Sequence, residues 1–317
     1  MFRRPVHLLL PNVLLLLALH SWAHAYALEP VRVAEGVYAF IGGAGEPSAE
    51  NEGNVGNSGF FVGDDGVVAV DTGISYRHGR AMLEAIARVT PKPVRLAIIT
   101  HAVQEFVFGG AAFAEHGAEL LAHTHSADLM RSRCEHCLEN LNKLLGAQLM
   151  QGSRLVLPTR LVDSSMPLRV AGLELQLLHF GWAATPGDLA VYDPASGVLF
   201  AGGLVSSGRV PDLRDASLAG WLLALDRLEA MPVRWVVPGY GPVSTPAAIA
   251  QTRAYLLALD ARVREVYRSG ASLLEAVDSV DLPQYAGWDL YPAAHRRNAH
   301  QRYLELELEE FGARTPP

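Results

Sequence analysis

The residues best placed to do chemistry lie in one short run, Thr100-His101-Ala102-Val103-Gln104-Glu105-Phe106, which follows an apolar stretch and precedes Gly109-Gly110. His101 brings an imidazole that can move a proton near neutral pH or bind a metal. Glu105 brings a carboxylate suited to either task. Zinc is held by lone pairs on nitrogen, sulfur or oxygen, and a catalytic zinc uses about three protein ligands plus an open water position. Val103 and Phe106 offer hydrocarbon only. His101 and Glu105 are therefore the candidate catalytic pair, and the run by itself does not complete a metal site. A plainer reading stands beside this one. His101 can be a hydrogen-bonded strand-end residue, and Glu105 can favour a helix N-terminus through the macrodipole.

Four further residues are expected to line the same cleft: Asp71 in Asp71-Thr72-Gly73, Trp182, Asp188 in Thr185-Pro186-Gly187-Asp188, and Tyr240 in Pro238-Gly239-Tyr240-Gly241-Pro242. Asp71 has the alternative role of orienting its loop, and Asp188 that of fixing a turn through side-chain bonds to backbone. Tyr240 can donate a hydrogen bond, whereas its ordinary pKa of about 10 argues against a phenolate metal ligand. His179, on the loop before Trp182, is a conceivable displaced ligand.

The cysteines are two, in Arg133-Cys134-Glu135-His136-Cys137. In an oxidising compartment a pair at this spacing most often closes a local disulfide, and Cys134–Cys137 is expected to do so. Free thiols, or a metal half-site with His136, His123 or His125, are the alternatives. The histidine lies between the cysteines, which excludes a c-type haem attachment. His123-Thr124-His125 on a strand would face one side together. His295 and His300 are expected at the surface of the last helix.

These groups need a scaffold, and the pattern supplies one. Val31 to Phe40 reads as a strand, and the polar stretch from Gly42 to Gly56 as a long loop of the kind that borders a cleft. Two short strands flank Gly63-Asp64-Asp65-Gly66, a hairpin turn. Tyr76 to Val89 has helical spacing, Pro91 and Pro93 stop it, and Val94 to Thr100 is a buried strand. Such alternation makes a parallel sheet with helices on its faces, and ligand sites in these sheets lie beyond the carboxyl ends of the strands. Asp71 and His101 occupy two such ends. Ser126 to Leu145 reads as a helix, Leu155 to Phe180 as strands, Leu189 to Ala201 as a hairpin, and the chain from Pro246 onward as helical, Leu304 to Leu308 included.

Hydrophobic residues make up 50% of the 317, ample for a packed core, and the formal net charge is -7. That balance argues against a nucleic-acid partner, and no RNA-binding motif opposes it. Arg3-Arg4, a Leu-rich run broken by Pro11-Asn12, and Ala23-His24-Ala25-Tyr26-Ala27 have the form of a secretory signal peptide, cut after Ala25 or Ala27. No later stretch is apolar enough to span a bilayer, so no stable membrane span is expected after cleavage and the mature chain is expected to be periplasmic or secreted.

Asp71-Thr72-Gly73, Thr100-His101, Gly109-Gly110, Thr185-Pro186-Gly187-Asp188-Leu189, Val198-Leu199-Phe200-Ala201-Gly202 and Val237 to Pro242 occur in the order expected of the metallo-β-lactamase fold, which the chain resembles from about Val31 into the 240s. With the leader, the Cys134–Cys137 segment and Tyr291-Pro292-Ala293-Ala294-His295-Arg296-Arg297-Asn298, it looks most like the quinoprotein relay system zinc metallohydrolases. The resemblance implies an α/β fold, an αββα sandwich, over residues 28–250, after a signal peptide at 1–27 and before a C-terminal helical extension at 251–317. It also implies where zinc ligands would fall. His101 is retained, Val103 and Phe106 replace histidines, and Glu105 replaces an aspartate. Ala184 and Tyr240 replace further histidines, and Gly203 replaces a bridging aspartate. The expectation is an exported protein with a degenerate zinc site, non-catalytic, with no metal in the dinuclear site and no cofactor. It would bind a small molecule or a component of a periplasmic quinoprotein dehydrogenase system. The rival expectations are a metal-dependent hydrolase, zinc included, rebuilt around His101 and Glu105, and thiol or metal handling through Cys134 and Cys137.

Overall fold

The computed structural model describes residues 27–314, so the expected leader, Ala27 apart, lies outside the described residues. The first sheet takes its strands in chain order: β1 (Val31–Ala34), β2 (Val37–Phe40), β3 (Ser58–Val62), β4 (Val67–Val70), β5 (Val94–Ile98), β6 (Glu119–His123) and β7 (Arg160–Val162). It is antiparallel from β1 to β4 and parallel from β4 to β7. The single strand expected over Val31 to Phe40 is instead a hairpin, because Gly36 takes a left-handed backbone (φ +68) that turns the chain back.

Between these strands lie α1 (Tyr76–Val89), the single turn α2 (Gln104–Val107), α3 (Gly110–Glu115) and α4 (Thr124–Leu145). Helix α1 starts where the Ser75 hydroxyl accepts from the His78 amide, and it buries Met82, Leu83, Ala85 and Ile86 against the outer face of the first sheet. Met82, Leu83 and Ile86 each contribute about 1.5–3 kcal/mol by leaving water, and the Ala85 methyl about 0.8 kcal/mol. The second sheet has the order β12-β11-β10-β9-β8, formed by β8 (Met166–Val170), β9 (Leu173–Leu178), β10 (Ala190–Asp193), β11 (Val198–Ser206) and β12 (Trp235–Tyr240). Its outer face carries α5 (Leu218–Glu229) and α6 (Ala247–Arg268), and α7 (Leu273–Ser279) and α8 (Arg296–Arg314) pack against α6 and each other.

The layers are helix, sheet, sheet, helix. Alternate residues of the two sheets meet in a central core, with Phe61 and Phe200 edge to face at 5.1 Å. The helices after residue 250 share one apolar cluster with β10, β11 and α5. Leu304 to Leu308 is helical, as leucine and glutamate favour. No helix among the described residues is long and apolar enough to cross a membrane.

Candidate functional site

The carboxyl ends of β4, β5, β11 and β12 converge, and their side chains explain the convergence. Asp71 takes a left-handed backbone (φ 60) at the end of β4. Its carboxyl accepts the Thr100 amide at 2.8 Å and meets the Thr100 hydroxyl at 2.9 and 3.0 Å, so the ends of β4 and β5 are tied together. The Thr100 hydroxyl is also 2.7 Å from His101 Nδ1. Its carbonyl accepts the Leu189 amide at 2.8 Å, which joins the first sheet to the second. Thr72 holds α2 through two bonds to the Phe106 carbonyl.

His101 is buried, and burial depresses its pKa to about 3, so the ring stays neutral across the physiological range. The Phe106 ring lies 4.3 Å from it, centre to centre, and meets the Tyr240 ring edge-on at 5.4 Å. A Cβ added at Gly203 would stand 3.1 Å from His101 Nε2. Burial, reinforced by the Glu105 carboxylate, pushes the Tyr240 hydroxyl well above its ordinary range, so it remains a phenol.

Above this floor is a cavity of about 80 Å³ whose wall includes His101, Glu105, Tyr240, Arg209, Arg214 and Arg297. Glu105 is 8% exposed, and its Oε2 has no hydrogen-bond partner. Burial raises its pKa to about 7, with Arg209 and Arg214 pulling the other way. Arg209 lies 4.3 Å over the Tyr240 ring, pairs with Asp289 at 3.0 Å and donates to the Gly45 carbonyl at 2.8 Å. The Gly42–Gly56 loop is thereby fastened to the second sheet. Asn57 strengthens the join by donating to the Pro238 and Gly241 carbonyls at 2.9 and 2.7 Å.

Three residues expected to line the cleft do not line this cavity. Asp71 is buried behind it, because its oxygens are engaged by Thr100. Asp188 is buried in its own turn, where it accepts the Thr185 amide and hydroxyl; burial raises its pKa to about 7. Trp182 stands 56% exposed on a neighbouring groove, its indole N–H donating to the Asp215 carbonyl at 2.6 Å. Sequence reasoning missed Arg209, Arg214, Glu46, Asp212 and Asp215, which belong to no motif. Arg297 lies in the tail run already noted, and Asn298 beside it holds the 209–216 segment through Pro211 and Leu213.

A family comparison fits this arrangement. The family model described as the Metallo-beta-lactamase superfamily matches residues 51–240. The chain belongs to the metallo-β-lactamase superfamily. Superfamily relatives include the linear primary-alkylsulfatase of a Pseudomonas species, 24% identical over 268 residues, 72% of this chain and 50% of that protein. The alpha subunit of a 2,4-dinitroanisole O-demethylase from a Nocardioides species is 28% identical over 231 residues, 70% of this chain and 59% of that one. The chain thus spans about half to three-fifths of the length of these curated relatives. Among solved structures, a metallo-beta-lactamase from Pontibacter korlensis superposes with a TM-score of 0.59 at 21% identity, over 73% of this chain and 99% of that one. One from Hirschia baltica gives 0.57 at 21%, over 73% and 97%. These structures share the fold.

Zinc is the usual metal of this superfamily, and the donors at this cleft do not fit it. His101 offers a single nitrogen, Nε2, since Thr100 engages Nδ1; the Phe106 ring packs 4.3 Å from it, centre to centre, and Ala184 and Gly203 in the wall carry no side-chain donor atom to complete a ligand set. Among the described residues no group of three or more His, Cys, Asp or Glu side chains is arranged to hold a metal ion.

The other histidines are placed differently from expectation. Strand β6 ends at His123 and α4 begins at Thr124, so His123 and His125 do not alternate along a strand; His123 Nδ1 accepts the His125 amide at 3.2 Å instead. His179 stacks on His123 at 3.9 Å and contacts the Asp188 carbonyl through Nδ1. Stacked rings keep their in-plane lone pairs from meeting at one point. His295 is buried, not superficial, because Tyr255 and the Val280 carbonyl bond its two nitrogens. His300 is exposed. Cys134 and Cys137 are free thiols, which corrects the expected disulfide. Both lie within the continuous helix α4, one turn apart, where the thiols hydrogen-bond to one another without closing a covalent bridge.

Proposed function

We propose that this protein is a non-catalytic member of its superfamily, a binding or accessory module whose cleft is a degenerate zinc site. The observation that carries this reading is Phe106. At a position where the family resemblance expects a histidine, its ring packs between His101 and Tyr240, and hydrocarbon fills space where a donor would stand. Val103, Ala184, Gly203 and Tyr240 extend the loss to four further positions. Without a tightly held zinc, water is not brought to a pKa of about 7 and no hydroxide nucleophile forms at neutral pH. The cavity walled by arginines and by Glu105 instead suits a small polar molecule. Export to the periplasm and service to a quinoprotein dehydrogenase system are parts of the same proposal, supported by the leader and by the tail run.

Loading the purified protein with zinc, dialysing and measuring bound metal tests it. Fewer than one retained ion per several chains is expected; one or two per chain would overturn the reading.

One observation favours a second reading, a hydrolase rebuilt around His101 and Glu105. Glu105 lines the cavity, holds an unpartnered carboxyl oxygen and titrates near neutrality, as a general base would. The relatives supply assay substrates, a linear primary alkyl sulfate and 2,4-dinitroanisole. Turnover abolished by Glu105→Gln and by His101→Ala would establish this reading, and turnover unaffected by either would remove it.

A further inference from the structure

The thiol pair on α4 lies outside the cleft chemistry. Helix α4 presents Met130, Cys134, Leu141 and Leu145 to a core that also holds Val107 and Phe108, and Cys137 falls on the edge of that stripe. Were both cysteines only small apolar fillers, both would be sealed. Cys134 is sealed, 1% exposed, but Cys137 is reached by solvent. The two are three residues apart on an uninterrupted helix, a rise of about 4.5 Å, which brings the Cα atoms within the span a disulfide bridges.

We propose that Cys134 and Cys137 form a redox-active couple that exchanges with external disulfides, Cys137 as the attacking thiol and Cys134 as the buried resolving one. Cys137 in thiolate form attacks one sulfur of a disulfide R–S–S–R′, forming Cys137–S–S–R and releasing R′–S⁻. Cys134 then gives up its proton, attacks Cys137 Sγ and releases R–S⁻. Two electrons pass from the dithiol to the external disulfide, which departs as two thiols carrying the two protons. The surroundings favour this division of labour. The hydrogen bond from Cys134, followed by the nearby His136 and Arg133, lowers the Cys137 pKa against the effect of its partial burial. The same hydrogen bond and burial push the Cys134 thiol up. A stabilised thiolate and a bridge closed inside a regular helix both favour the reduced state, so the step as written runs forward only in excess external disulfide, and the labile bridge it forms passes readily to thiols by the reverse of the same exchange.

The test uses the full mature chain. With excess glutathione disulfide, wild type is expected to form one intrachain disulfide, seen by mass spectrometry after alkylation, and to return to the dithiol in excess reduced glutathione. Cys134→Ser is expected to accumulate a glutathione adduct on Cys137, and Cys137→Ser to form none. A cystine-bridged peptide in place of glutathione disulfide distinguishes a peptide source from a small-molecule one by which adduct forms faster. Because Cys134→Ser disturbs the core, the wild-type alkylation rate provides a second readout. At pH 6 Cys137 should react about tenfold faster than free cysteine, the gain left after the lower nucleophilicity of a low-pKa thiolate is allowed for. Absence of the adduct, a disulfide that survives excess reduced glutathione, or alkylation no faster than free cysteine would each overturn the proposal.

Discussion

The floor of the cleft and the turns behind it carry carboxyl groups with the same titration and opposite surroundings. Burial raises Asp71, Asp188 and Glu105 alike to about 7. Asp71 and Asp188 each accept a backbone amide and meet a threonine hydroxyl. Glu105 has an oxygen with neither partner. An unmade hydrogen bond at a buried group costs about 1–3 kcal/mol. The turns are therefore built for stability, and the floor keeps an unsatisfied group in the cavity wall. The difference separates residues that hold the scaffold from a residue that a ligand can satisfy.

The largest expected effect is at the floor's packing. Phe106→Ala should destabilise the protein by about 3–5 kcal/mol, because the cavity left between His101 and Tyr240 adds to the lost transfer energy. Urea unfolding measures this, and a loss under 1 kcal/mol would mean that Phe106 does not seal the site. In the turns, Asp71→Ala at pH 6 should cost roughly 2–4 kcal/mol, since the Thr100 amide loses its acceptor and alanine inherits a left-handed backbone. Asp71→Asn should cost less, because asparagine tolerates that conformation.

Glu105→Gln should behave in the opposite sense. A carboxyl raised from 4.5 to about 7 on folding favours the native state fully below pH 4.5, and that contribution is lost as pH rises through 7. The variant should therefore gain on wild type between pH 4.5 and 7, by up to about 3 kcal/mol. The difference between the two unfolding curves isolates this effect from His101, whose depressed pKa acts with the opposite sign. A gap that does not widen with pH would erase the contrast between floor and turns. The smallest effect is at the rim, where Arg133 pairs with Asp215 at 2.7 Å with both side chains well exposed. Arg133→Ala should cost under about 1 kcal/mol.

Much of this was legible in the chain itself. Strand and helix periods, Gly-Asp-Asp-Gly and Pro-Gly-Asp turns, and the hydrocarbon at Val103 and Phe106 follow from each residue and its near neighbours; they led to a parallel sheet faced by helices with His101 and Glu105 beyond a strand end, and the family resemblance added the αββα sandwich. The α4 helix and its cysteine pair were equally local. The covalent state of the pair was not, nor was the burial of His295, which depends on Tyr255 forty residues away.

Sequence alone thus determined which donor atoms exist and in what order the elements run, because bonding capacity and local propensity belong to the residue. Only the tertiary structure decided which of them meet. It set Phe106 against His101, gathered Arg209, Arg214 and Arg297 around the cavity that Glu105 lines, and turned Asp71 and Asp188 away into their own hydrogen bonds. Convergence and burial arise from packing between segments far apart in the chain, which no local pattern encodes.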